Sequence, residues 1–110
     1  MKIAIPLASG KLSSHFGHCD QFGIYEIEEN KIVSSKMENP PGHEPGVLPK
    51  WLKENGVTLV LAGGMGSRAQ SLFESFGIHV NIGVPSWEPE EIVKAYLEDK
   101  LPQGNNICDH

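Results

Sequence analysis

The sequence has 110 residues, of which 39% are hydrophobic and 21% charged, with a formal net charge of -5. That length carries a single core without staples, and the lack of any Lys/Arg cluster argues against a nucleic-acid surface. The most apolar stretch, Val57 to Ala62, is broken by Thr58 and falls far short of a membrane span; Pro6 and Ser9-Gly10 interrupt the N-terminal run too early for a signal peptide, so the chain reads as cytoplasmic.

In chain order, Lys2 to Leu7 is a short β-branched run and predicts a strand. Ser9 to Ser14 has no periodicity and reads as loop. Phe22 to Glu28 alternates apolar and polar residues, Glu29-Asn30 is a turn, and Lys31 to Met37 returns, which predicts a β-hairpin. The proline-rich stretch Glu38 to Gly46 is excluded from helix and from central strand, and with His43 and Glu44 it is either a rigid connection or a candidate lid. Val47 to Asn55 places Val47, Leu48, Trp51 and Leu52 on one helical face, with Asn55-Gly56 as its end.

Val57 to Ala62 reads as a parallel strand covered on both faces. After Gly63-Gly64-Met65-Gly66 a helix runs from Ser67 to Phe76 and ends at Gly77, and Ile78 to Ile82 is a short strand. A last helix runs from Pro89 to Asp99, with Pro89 in its first turn and Glu88, Glu90 and Glu91 at its positive end. Leu101 to His110 is an irregular tail. Strands alternating with helices after a hairpin predict one domain over residues 1–110, a three-layer α/β fold with a mixed sheet. Trp51 and Trp87 read as packing residues, and His79 as structural.

Two segments carry soft metal ligands. One is His15-x-x-His18-Cys19, after the first strand; the other is Cys108-x-His110, in the tail. Thiolate and imidazole suit zinc, copper and iron-sulfur centres. Neither cysteine lies in an apolar run, unlike a usual buried structural cysteine. The spacing matches no zinc finger, and two cysteines cannot supply a four-cysteine cluster. The alternative is that the histidines only bond the loop and the tail has no role.

The third segment, Gly63-Gly64-Met65-Gly66-Ser67-Arg68, joins a strand to a helix. Glycines there let backbone N–H groups approach an anion at the helix N-terminus, with Arg68 beside them. It is neither a Walker motif nor a full dinucleotide fingerprint; the plain alternative is a tight turn. Cys19 beside His18 also allows a nucleophilic hydrolase, which would require a depressed thiol pKa.

Together, Ser9 to Cys19, Glu38-Asn39-Pro40-Pro41, Ala62 to Ala69 and Cys108-Asp109-His110 resemble the dinitrogenase iron-molybdenum cofactor biosynthesis family, in its small stand-alone bacterial and archaeal members. The resemblance covers nearly the whole chain. It implies a ribonuclease H-like α/β/α fold with a mixed five-stranded sheet. It implies a non-enzymatic binder or carrier of iron-sulfur or iron-molybdenum clusters; a related branch holds a molybdenum-copper cluster. The partners would be metallocluster donor or acceptor proteins. By position, Ser13 to Cys19 matches the histidine-bearing segment, and Gly63 to Ser67 the glycine-rich turn. The expected metal ligands are His15, His18, Cys19, Cys108 and His110. Ser13, Gly63, Gly64, Met65, Gly66, Ser67 and Arg68 are expected to contact the cofactor. A small regulatory domain that binds an anionic ligand at the glycine turn is the alternative.

Overall fold

The structure, a computed structural model, describes residues 1–13, 19–42 and 46–101. Strand β1 (Lys2–Ala8) leads through a two-residue turn to β2 (Lys11–Leu12). The hairpin of β3 (Gln21–Glu28) and β4 (Lys31–Glu38) follows, then α1 (Val47–Glu54), β5 (Val57–Leu61), α2 (Ser67–Ser75), β6 (His79–Asn81) and α3 (Pro89–Leu97). The sheet order is β4-β3-β1-β5-β6, with β2 on β1. β1 is therefore central, antiparallel to β3 and parallel to β5, and β6 continues the parallel part.

The sheet has six strands rather than the expected five, because Lys11 and Leu12 fold back on Ala8 and Leu7. Ser9 and Gly10 both take positive φ, 55° and 81°. That pair of left-handed residues makes the tight turn whose twist suits a hairpin. A two-residue ladder is too short to leave a period in the sequence, and the turn begins with serine rather than asparagine. The second hairpin turn is as expected: Glu29 and Asn30 take φ of 51° and 64°.

Alternation along the strands divides the core into two layers. Ala4, Phe22, Ile24 and Val60 pack with Leu48 and Leu52 of α1 and Phe73 of α2. Ile3, Ile5, Tyr25, Ile27, Leu59 and Leu61 pack with Ile92 and Val93 of α3. Because successive side chains of a strand point to opposite faces, α1 and α2 cover one face and α3 the other. The edge strand β4 is exposed along most of its length, including Val33 and Met37. Trp51 packs edge-on against Phe22, with ring centroids 5.7 Å apart. Trp87, in contrast, is 40% exposed and is not a packing residue. His79 is exposed on β6, at the outer edge of the sheet, so no core role holds it there.

Candidate functional site at the switch between β1 and β5

The chain leaves β1 toward β3 and β4 on one side of the sheet, and leaves β5 toward β6 on the other. In open α/β sheets a crevice opens outside the carboxyl ends of two such strands. Here the β1–β5 ladder ends at Ala4↔Val60. Two residues on, Pro6 has no N–H with which to extend it. β5 instead stays with the β6 side: the Ala62 N–H donates to the Asn81 carbonyl at 2.9 Å, and the Gly83 N–H to the Gly63 carbonyl at 2.9 Å. The loop after β1 therefore faces the loop after β5.

Both ends of the histidine segment are tied to consecutive residues of β1. The Ser13 N–H donates to the Pro6 carbonyl at 2.9 Å, and the Asp20 N–H to the Leu7 carbonyl at 2.8 Å. Ser13 is buried. The Asp20 carboxylate accepts from the Ser9 N–H at 3.3 Å, joining this loop to the first hairpin turn. His15 and His18 lie outside the described residues, as do His43 and Glu44 of the candidate lid.

Cys19 is where the structure departs most from expectation. It is only 4% exposed, and it belongs to the apolar layer that contains Ala62, Met65, Leu48 and Phe22. Its polar neighbours in sequence concealed this, because the buried position comes from the helices that cover the sheet end. Burial pushes its thiol up from 9.0 to about 11, and the Asp20 carboxylate adds to the rise. A cysteine nucleophile needs the opposite shift, so the described surroundings of Cys19 do not activate it. A metal can still take this thiol, but only by displacing its proton.

Across the crevice, α2 starts at Ser67 with Gly66 as its N-cap, so no side chain caps its first turn. α1 likewise starts behind a glycine, Gly46, and neither helix has an acidic residue in its first turn. Their N–H groups thus carry the positive ends of both helix dipoles at this end of the sheet. The other face differs: α3 begins with Glu88 as N-cap and with Glu90 and Glu91 in its first turn. After burial, the Glu90 and Glu88 carboxylates raise the pKa of Tyr25. The two helix starts without a first-turn carboxylate cover the face of the sheet that holds Cys19.

Gly66 has φ -63° and ψ 154°, a conformation open to any residue. A Cβ built on it would meet nothing within 4 Å. Neither backbone geometry nor packing requires glycine at a position where Ser, Thr, Asp or Asn would serve better. What glycine provides is open access to the adjoining N–H groups, which fits an anionic group seated there. Ser67 and Arg68 are exposed beside it, and Gly64 and Met65 are buried behind it. Gln70, which the sequence reading passed over, donates from Nε2 to the Met65 carbonyl at 2.8 Å. A glutamine in the first turn after a glycine run is a usable signal for such a contact.

Among the described residues, no three His, Cys, Asp or Glu side chains come together as a metal cage. Cys108 and His110 lie outside the described residues. The tail leaves from the opposite end of the sheet, where Asn30 of the β3–β4 turn donates from Nδ2 to the Leu97 carbonyl at 3.2 Å. Cys108 follows Leu101 by seven residues, a reach of at most about 25 Å. The eight residues of β3 themselves span about 24 Å. The described residues bring one thiol and the first N–H groups of a glycine-capped helix to the same sheet end.

Known proteins resemble this chain in sequence and in fold. The family described as dinitrogenase iron-molybdenum cofactor matches residues 1–99. The uncharacterised protein MJ0580 of Methanocaldococcus jannaschii is 36% identical over 106 residues, covering 92% of this chain and 89% of that protein. The crystal structure of PH0822 superposes with a TM-score of 0.86 at 33% identity, covering 94% of this chain and 96% of that one. The apo form of the orange protein from Desulfovibrio gigas shares the fold, with a TM-score of 0.74 at 18% identity and coverage of 96% and 93%. Matched across its strands, its glycine turn and its helices, the chain belongs to the dinitrogenase iron-molybdenum cofactor family.

Proposed function

We propose that the protein binds an iron-sulfur or molybdenum-containing cluster in the β1–β5 crevice and passes it between donor and acceptor proteins. The observation that carries this reading is the meeting of two elements at one sheet end. Cys19 stands on the loop leaving β1, and the open, glycine-capped start of α2 stands on the loop leaving β5. Thiolate supplies a covalent ligand to iron, copper or molybdenum. The N–H groups of Gly66 and Ser67 would offset the negative charge of a sulfide-rich cluster. Arg68 adds a cation at the rim, and Ser13 closes the β1 side. His15 and His18, between two anchored ends, are placed in the chain to add ligands. The chemistry is ligand exchange, with no bond of a substrate cleaved; the ribonuclease H-like likeness is one of fold only. The reading places the protein in the cytoplasm; among the described residues, no helix is long and apolar enough to cross a membrane.

Anaerobic reconstitution with iron and sulfide tests it. Wild type should gain visible absorption with a fixed metal content, and Cys19→Ala should lose most of it. A wild type without a chromophore, or a variant that reconstitutes equally, would overturn the reading.

The burial of Cys19 favours one second reading, a regulatory domain whose glycine turn takes an anionic ligand through N–H groups alone. It predicts stabilisation by molybdate that survives replacement of both cysteines, whereas the cluster reading predicts that stable uptake does not.

A further inference from the structure

Gln70 holds the peptide groups on both sides of the Gly66 α-carbon. Its main-chain N–H donates to the Gly66 carbonyl at 3.1 Å, the ordinary opening bond of α2. Its side-chain Nε2 donates to the Met65 carbonyl at 2.8 Å, a bond the helical ladder does not require. The Met65–Gly66 peptide is trans, so its N–H points opposite to its carbonyl. With that carbonyl drawn toward the first turn of α2, the Gly66 N–H is turned away from the helix. On the same residue, the space a Cβ would fill is open.

From this clamp we infer that Gln70 is a positioning residue for the anion site: its amide side chain fixes the Met65–Gly66 peptide so that the Gly66 N–H faces the β1–β5 crevice. The inference rests on the cluster-binding reading of that crevice. The turn needs such a device because it contains Gly63, Gly64 and Gly66, and glycine peptides rotate at little steric cost. A rotated Met65–Gly66 peptide would present a carbonyl oxygen to an anion instead of a proton. Gln70 sits in the first turn of α2, so the same helix that supplies the dipole also orients the donor that precedes it.

The test uses the full chain with Gln70→Met, which keeps side-chain length and helix propensity but has no donor. Ser75→Ala is the control; it removes a side chain-to-carbonyl bond of 2.7 Å at the far end of α2. Two quantities are read: the Gly66 amide NMR signal and its hydrogen exchange in the metal-free protein, and anaerobic uptake of tetrathiomolybdate followed by absorption. Q70M should move the Gly66 signal, speed its exchange, and weaken uptake by about three- to tenfold, the scale of one net hydrogen bond. S75A should change neither, even where it lowers the melting temperature as much. A wild type that takes up no probe overturns the cluster-site reading and the positioning role with it. A wild type that titrates alongside an unaffected Q70M, or a Q70M effect matched by S75A, overturns the positioning role alone. If Q70M does not fold, Gln70→Ala is read in the same way.

Discussion

Cys19 and Gly66 each depart from what local stability would select. The Cys19 thiol is buried among apolar side chains and next to the Asp20 carboxylate, and its pKa rises from 9.0 to about 11. In the metal-free protein it should therefore alkylate slowly at pH 8, and quickly only near pH 11 or in denaturant, as timed mass spectrometry would show. The sign for stability follows from the same shift. The folded state holds this proton more tightly than the unfolded chain, so the thiol's contribution is intact below pH 9 and is lost as pH rises toward 11. The urea midpoint of wild type should fall across that window more steeply than that of Cys19→Ala. Cluster uptake, which must release the same proton, should tighten as pH rises. Gly66 presents the reverse trade. Gly66→Asp provides an N-cap acceptor and a favourable charge at the helix dipole, so it should raise stability by about 0.5–1 kcal/mol. The added carboxylate would occupy the space left for an anion, so the same variant should lose uptake of tetrathiomolybdate. A gain in melting temperature with unchanged uptake would refute that account of the glycine.

Two helices of the fold end in one motif with different residues. At the end of α2, the Ile78 N–H returns to the Phe73 carbonyl at 3.0 Å, and the Gly77 N–H to the Glu74 carbonyl at 2.9 Å. At the end of α3, the Lys100 N–H returns to the Ala95 carbonyl at 2.8 Å, and the Asp99 N–H to the Tyr96 carbonyl at 3.1 Å. The left-handed residue is Gly77 at φ 79° in the first and Asp99 at φ 59° in the second. Glycine takes that conformation without the Cβ penalty that aspartate incurs. Asp99→Gly should raise stability by about 0.5–1 kcal/mol and shift the melting temperature upward by a few degrees, without altering cluster uptake. These ends were readable in sequence to within a residue or two. Gly77 and Asn55-Gly56 stop their helices where expected, and Pro89 starts α3. The miss was β2, a two-residue strand made by a turn rather than by a hydrophobic period.

Over the whole molecule, the crevice exists because β1 and β5 are parallel neighbours whose chains depart in opposite directions. The tail begins at the other end of the sheet, by the Asn30 contact to Leu97. Cys108→Ala should therefore retain most of the reconstituted absorption that Cys19→Ala loses; equal losses would show that the tail crosses the molecule to the crevice. The alternation of Phe22 to Glu28, the apolar run of Val57 to Leu61 and the glycine punctuation carried the elements, because local periodicity and turn chemistry act within a few residues. The glycine turn and Cys19, on which the proposed site rests, stood out for the same reason, whereas His15 and His18 lie outside the described residues. The sequence by itself determined those elements, their approximate bounds and the residue types available for chemistry. Only the tertiary structure decided that the loops after β1 and β5 share one sheet end and that Cys19 is buried there. Each of these depends on contacts between segments far apart in the chain, and no local pattern of apolar residues or glycines specifies which segments will meet.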